Sequence, residues 1–421
     1  MIGSGGREHA LLWKLAQDGR ISKLYAVPGN GGTRHLAEAI AAPVHRLDEL
    51  HRAVIGAKPD LVVVGPEVPL EAGIADRLRR DNIPCFGPTA AAAKIETSKV
   101  FGKQLMARHG VPTAEFKIFE SSSDVGNFVN SVPYENGWVI KADGLAAGKG
   151  AFVCSSVSEV LQHAHELMVD SALGKAGQRI VLERRLMGRE ASALFWCDGE
   201  HFVPLPAAQD YKRAADNDAG PNTGGMGSFC PAPQLTAKIH ERVAKEIIHP
   251  VLNALADEGA PFCGILYAGL MLTDDGPQVI EFNCRFGDPE TQVILPAWNG
   301  NMLDTMFACV NGTLSSNNTL TAASQCAVCV VLAAEGYPGS HPKGIPLIMV
   351  PDYADYVTFH AGTSYVDGKL ISNGGRVLNA VGMGSDLSAA RAHAYELAKR
   401  LSVPGLFYRK DIALIPEHVC E

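Results

Sequence analysis

The sequence predicts a chain of mixed α/β and α+β class: an N-terminal doubly wound parallel sheet, two central α+β segments, and a small α+β C-terminal domain. Three observations lead there. Short apolar strands alternate with helical patterns up to about residue 116. Two hairpin patterns, Trp138 to Cys154 and Gly264 to Asn283, carry glycine-rich or charged loops. From about Thr321 short strands and turns take over, with one helix near Leu387 to Leu401. The expected boundaries are 1–116, 117–189, 190–320 and 321–421.

A length of 421 residues with 47% hydrophobic content is enough to bury several cores. The net charge of −8 and the lack of any Lys/Arg run argue against nucleic acid as a partner. No apolar run reaches the length of a membrane span, and the start Met-Ile-Gly-Ser-Gly-Gly-Arg reads as neither signal nor transit peptide, so a cytoplasmic protein is expected. The 10 cysteines are scattered, as suits reduced thiols. Only Cys326 and Cys329 form a C-x-x-C, and on a strand that spacing points the sulfurs to opposite faces.

In the first segment, the strands Leu24 to Val27 and Leu61 to Val64 end at Pro28-Gly29-Asn30 and Gly65-Pro66-Glu67, where such sheets bind ligands. The opening Gly3-Ser4-Gly5-Gly6-Arg7-Glu8-His9 before a helix from Ala10 to Gln17 fails as a dinucleotide fingerprint. Glu8 replaces the third glycine, and no acidic residue ends the second strand. A glycine loop at a helix N-terminus remains, able to hold one phosphate. Only Met1 and Ile2 stand for the preceding strand, which leaves that edge of the sheet open to question.

In the second segment, the loop from Asp143 to Gly150 joins two strands, and its small residues, Gly148 among them, let backbone approach a polyphosphate. Lys141 and Lys149 supply the counter-charge. The order is not that of a Walker A loop. The linker after Glu183-Arg184-Arg185-Leu186 offers free backbone groups to a purine edge, with a following glutamate for ribose hydroxyls. The third segment holds a long polar loop, Ala208 to Ser228, then an amphipathic helix region from Thr236 to Glu258, then a hairpin. On the hairpin's second strand, Gln278 to Asn283, alternation places Val279, Glu281 and Asn283 on one face and Ile280 and Phe282 on the other. Glu281 and Asn283 offer two hard oxygens suited to Mg²⁺, and Arg285 can reach an anion beside it. The alternative is a strand end with a solvated polar face. In the last segment, His360-Ala361-Gly362-Thr363 and Asn373-Gly374-Gly375-Arg376 are candidate functional turns, although Asn-Gly is equally an ordinary hairpin signal.

A metal strand, a phosphate hairpin and an adenine linker in one chain resemble the ATP-grasp enzymes, whose two α+β subdomains hold ATP between them. Four stretches, Gly5 to Ala10, Lys141 to Gly150, Gly220 to Gly227 and Glu281 to Gln292, are similar to the phosphoribosylamine-glycine ligase family of purine biosynthesis. The resemblance implies an ATP-grasp fold of two subdomains at 117–189 and 190–320. It implies ligation of glycine to 5-phosphoribosylamine with ATP and Mg²⁺ or Mn²⁺, by a monomer with neither nucleic acid nor membrane as partner. It further implies that Lys99, Lys141, Lys149 and Gly148 serve the ATP phosphates, Glu183 and Leu186 the adenine, and Glu190 the ribose. Arg285 would hold the glycine carboxylate with Asp210 and Lys212 nearby. Gly5, Gly6, Glu67, Asn373 and Arg376 would serve the phosphoribosylamine. Two positions depart from the family pattern: Glu183-Arg184-Arg185-Leu186 stands where Glu-Glu-aromatic-Leu is expected, and Tyr211 where histidine is expected. The competing readings are another carboxylate-amine ligase or carboxylase of the superfamily, or a nucleotide-binding protein without catalysis.

Overall fold

The structure, a computed structural model, describes residues 1–133, 135–146, 150–315 and 322–414. The predicted Gly148 and Lys149 lie outside the described residues. The first strands are short and apolar because helices cover both faces. Ile2–Gly3, Tyr25–Pro28 and Glu38–Ala39 pair in parallel, as do Val62–Val63 with Cys85–Phe86, and a parallel bridge from Ile2 to Val64 joins the two sets. Ile2 therefore lies in the middle of the sheet rather than at a doubtful edge. It marks the switch point, where the loops after Gly3 and Val64 face each other.

The first helix, Gly6–Leu15, starts four residues before the expected Ala10. The reason is Glu8, whose carboxylate turns back to accept the Gly5 amide and caps the helix. The residue that spoils the dinucleotide fingerprint is thus the one that starts the helix.

A four-stranded antiparallel sheet follows, in the order Phe116–Phe119, Ile180–Arg184, Trp138–Ala142 and Ala151–Cys154. The helices Ser122–Ser131 and Val157–Met168 contribute Val125, Val129, Val160, Ala164 and Leu167 to a core of its own. A second four-stranded antiparallel sheet orders Phe202–Pro204, Arg189–Asp198, Cys263–Thr273 and Gly276–Asn283. Against it runs the expected helix region, Ala237–Val243 and His249–Asp257 joined by a π turn at Ala244–Ile248. The last sheet orders Gln209–Asp210, Gly227–Cys230, Cys326–Ala334, Arg376–Gly384 and Tyr356–His360, with Leu406–Phe407 on Cys326–Ala334 and the helix Leu387–Leu401 across it. A continuous ladder therefore crosses residue 321, because Gly227–Cys230 pairs with Cys326–Ala334. Among the described residues, no helix is long and apolar enough to cross a membrane.

Candidate active site

Between the two four-stranded sheets lies a cavity of about 1140 Å³, reached from the N-terminal sheet by Glu67 and from the C-terminal sheet by Arg376. The strand Gly276–Asn283 supplies its floor, but not by simple alternation. Gly269 pairs with Glu281 and Leu270 with Val279, so Ile280 is an extra residue, a β-bulge. The bulge sends Val279 into the core and turns Ile280 to the cavity beside Glu281 and Asn283. The expected facing of Val279 and Ile280 is therefore reversed, while Glu281 and Asn283 face the cavity as expected.

Lys99 begins the helix Lys99–Arg108 and reaches Glu281 Oε2 at 2.8 Å. Burial works against the Glu281 charge, yet Lys99, Lys212 and Lys141 outweigh it and hold the carboxyl well below its usual range. Asn283 is 8% exposed. A permanently ionised carboxylate and an amide oxygen on one wall fit a hard divalent cation, which takes such oxygens and completes its shell with water and phosphate. Among the described residues no group of three or more His, Cys, Asp and Glu side chains is gathered for a metal.

Opposite, Lys141 donates to Ile280 O at 2.8 Å and lies 3.0 Å from Glu183 Oε1. The Glu183 side chain is thus engaged by lysine and not turned outward to a base. Val139, Leu186 and Ile280 line the same cavity and bring it apolar side chains of the kind a purine packs against. Arg184 and Arg185 also line the cavity, and the Arg184 guanidinium lies 4.1 Å from the Trp138 ring centroid and donates to Pro133 O at 3.0 Å. Tyr211, in place of histidine, accepts the Ala413 amide at 3.0 Å.

Arg285 is fixed from three sides, by Glu67 at 3.2 Å, Glu96 at 3.1 Å and Phe286 O at 3.1 Å. Of its five N–H groups these occupy three, which leaves two for an anion in the cavity. Asp210 stands on the two-residue edge strand of the C-terminal sheet, with Lys212 and Glu190 beyond it, the last two 3.4 Å apart. Burial, with Glu290 and Glu190 adding to it and Lys212 opposing, raises the Asp210 carboxyl to about 7. Arg376 lines the cavity but its guanidinium also holds backbone, donating to Gly224 O at 2.6 Å and Asp288 O at 2.7 Å.

Three predicted positions stand apart. Asn373 is exposed and outside the cavity, and its turn is not a hairpin: it links Lys369–Ser372, paired with Thr363–Val366, to Arg376–Gly384 in the C-terminal sheet. Gly5 and Gly6 do not line the cavity either. The Glu8 carboxylate already occupies the Gly5 amide that was expected to hold a phosphate, and Gly6 packs against Asn379 and Gln292 with no room for a Cβ. Sequence reading missed Glu96, Glu290, Tyr267 and Ile280, all of which line the cavity. The Glu290 carboxylate, 3% exposed, accepts from Tyr267 OH at 2.6 Å.

Family models of phosphoribosylglycinamide synthetase match in three blocks: the N domain at residues 1–96, the ATP-grasp (A) domain at 97–291 and the C domain at 327–415. The chain is 45% identical over 420 residues to a phosphoribosylamine--glycine ligase of Pseudomonas aeruginosa, covering 98% of this chain and 96% of that one. It is 44% identical over 416 residues to the trifunctional purine biosynthetic protein adenosine-3 of Gallus gallus, where 98% of this chain spans 41% of the relative's length. A crystal structure of phosphoribosylamine--glycine ligase from Thermotoga maritima superposes with a TM-score of 0.83 at 34% identity, covering 97% of this chain and 98% of that one.

Proposed function

The chain belongs to the phosphoribosylglycinamide synthetase family, and on that footing we propose that it joins glycine to 5-phosphoribosylamine, with ATP giving ADP and phosphate. The carrying observation is the convergence of Glu281, Asn283, Lys99, Lys141 and Arg285 on one cavity, although they come from three distant parts of the sequence. A cavity with cations and hard oxygens but no side-chain nucleophile set suits phosphoryl transfer, where positioning and electrostatics carry the rate.

The ATP-grasp domain makes ATP the nucleotide, used with a divalent cation. We assign Mg²⁺ to Glu281 and Asn283, where it would neutralise phosphate charge. The purine packs against Val139, Leu186 and Ile280 and takes its hydrogen bonds from the linker backbone. Lys99 and Lys141 hold phosphates and Glu190 the ribose. Arg285 orients the glycine carboxylate, with Lys212 beside it. A carboxylate oxygen of glycine attacks the γ-phosphorus, the bond to the β–γ bridging oxygen breaks, and ADP leaves. The amine of phosphoribosylamine then attacks the glycyl phosphate carbon and phosphate departs. The amine must lose a proton in that step, and Asp210, with its carboxyl near 7, accepts it. Glu67 and Arg376 flank the amine substrate at the two ends of the cavity.

ADP release measured with ATP, Mg²⁺, glycine and phosphoribosylamine formed in place, omitting each in turn, tests this. A requirement for both glycine and the amine is the expected result. Release that follows formate or bicarbonate instead would overturn the substrate assignment, and ATP binding without release would overturn the enzyme.

A further inference from the structure

Lys103 stands one helical turn after Lys99 on Lys99–Arg108, yet it does not line the cavity. It is 3% exposed. Its Nζ lies 2.9 Å from Glu183 Oε2 and donates to Thr113 Oγ1 at 2.6 Å, and Thr113 passes the contact on by donating to Val279 O at 2.7 Å. From the cavity side Lys141 donates to the same Glu183 Oε2 at 3.1 Å, with its Nζ 3.0 Å from Oε1, and donates to Ile280 O at 2.8 Å. One carboxylate thus serves two ammonium groups, and each is tied to one of two successive carbonyls of the bulge that leads to Glu281.

The charge balance of this cluster decides what it can do. Two lysines on one carboxylate leave one positive charge over. If Lys141 swings toward a phosphate, Glu183 keeps a partner. Without Lys103, the same movement would strand a buried carboxylate, and Lys141 would stay closed on Glu183. Keeping Lys103 in this place is costly: burial pushes its ammonium down to about 8, Lys141 and Lys99 push the same way, and Glu183 alone opposes. A buried lysine outside the cavity's lining acts through the group it touches.

Taking the cavity as the ATP site, we propose that Lys103 is a positioning residue that neutralises and orients Glu183, so that Lys141 is free to bind a phosphate of the nucleotide. The family assignment does not require this, since Lys103 lies behind Glu183, away from the nucleotide. The arrangement also explains why the Glu183 carboxylate faces lysines and not the purine.

The test uses the full chain in four forms: unaltered, K103M, K103R and K103M/E183Q. ATP binding with Mg²⁺ is followed by calorimetry, and KM is measured for ATP and for glycine. The Lys103→Met protein is expected to bind ATP about 10- to 100-fold more weakly, the scale seen for outer partners of charged ligands, with the glycine KM unmoved. Removing the carboxylate as well, in K103M/E183Q, should restore much of that loss, because nothing then competes for Lys141. Lys103→Arg should stay within about threefold of the unaltered chain, since the charge is kept in a different shape. A purely structural lysine predicts no rescue by the second substitution, so K103M/E183Q no better than K103M would overturn the inference. Unchanged ATP binding in K103M would do the same. If K103M does not fold, K103R and K103M/E183Q carry the test. Failure of the unaltered chain to bind ATP would instead sink the functional reading itself.

Discussion

The two sheets that face each other across the cavity are built on different principles. The small sheet, Phe116–Phe119 to Ala151–Cys154 in its outer strands, packs against its two helices in a cluster that holds no residue from elsewhere in the chain. The large sheet shares its apolar residues with clusters that run from Ile2 to Ala413 and from Ala10 to Met383. One wall is a self-contained body, and the other is continuous with the rest of the molecule. Polar contacts at the seam tie the two: Asp143 Oδ1 accepts from Ser98 Oγ at 2.7 Å and from Val100 N at 2.9 Å, while Arg179 Nε of the small body itself donates to its Oδ2 at 3.0 Å. Polar ties of this kind can be exchanged for ligand contacts, whereas an apolar seam must be reopened. The separately packed wall carries Lys141, and the wall continuous with the rest of the molecule carries Glu281 and Asn283.

The sharpest way to break this contrast is one leucine on each side. Leu266→Ala and Leu167→Ala, both at buried positions, should each cost about 2–5 kcal/mol. The first should lower the melting temperature of the whole chain, and the second should speed hydrogen exchange within 116–184 alone. Exchange spreading through the large sheet in Leu167→Ala would end the claim of independence. Next in size, Glu281→Ala should lower kcat/KM about 100-fold with little change in melting temperature, since the residue contributes charge to the cavity and not apolar packing. A normal rate with unchanged Mg²⁺ dependence would refute its assignment. Smaller still, Asp143→Asn should loosen the seam by about 1–3 kcal/mol, visible as a higher KM for ATP and an unmoved KM for glycine.

The mildest effect concerns pH. His9 and His360 meet where the first helix packs on the C-terminal sheet, His9 Nδ1 accepting the His360 amide at 2.8 Å. Burial, helped by neighbouring histidines, lowers His9 to about 3 and His360 to about 4, from an ordinary 6.5. Both stay neutral in the fold while the unfolded chain takes up protons below 6.5. Stability should therefore fall as pH drops from 6.5 through about 4 and 3, and be unaffected by these groups above 6.5. Denaturant midpoints across that range check this, and His360→Asn should flatten the slope. The small sheet, away from this seam, should keep its exchange protection longest.

How much of this was legible in the sequence depended on whether a residue's role is local. Glu281, Asn283, Arg285 and Lys141 were readable because a strand or a strand end presents them together, and the helix Leu387–Leu401 because its apolar period is unbroken. The Ile280 bulge was not, since one extra residue in a ladder leaves no mark in an alternating pattern. Lys103 and Glu96 were invisible for another reason. Each sits on a helix within no motif of its own and gains its meaning from a partner more than 75 positions away, Glu183 and Arg285 respectively. The Asn373 turn was ambiguous in the sequence, because turns and binding loops share the same residues, and in the fold it joins two strands of different sheets, its amide donating to Gly362 O. At Gly5 and Gly6 the glycines were read as open backbone, but Glu8, three residues on from Gly5, had already closed it.

The ladder across residue 321 has a consequence for the order in which the molecule is made. Asp210 owes its place to Gly227–Cys230, whose other edge is covered by Cys326–Ala334. During synthesis the N-terminal sheet and the small sheet can close as soon as they emerge, from segments near in sequence. The edge of the cavity that carries Asp210 must wait until the strand Cys326–Ala334 has left the ribosome. A nascent chain can thus complete its nucleotide-facing strands well before it can hold Asp210, so the competence to bind ATP should arise earlier than the competence to form the amide.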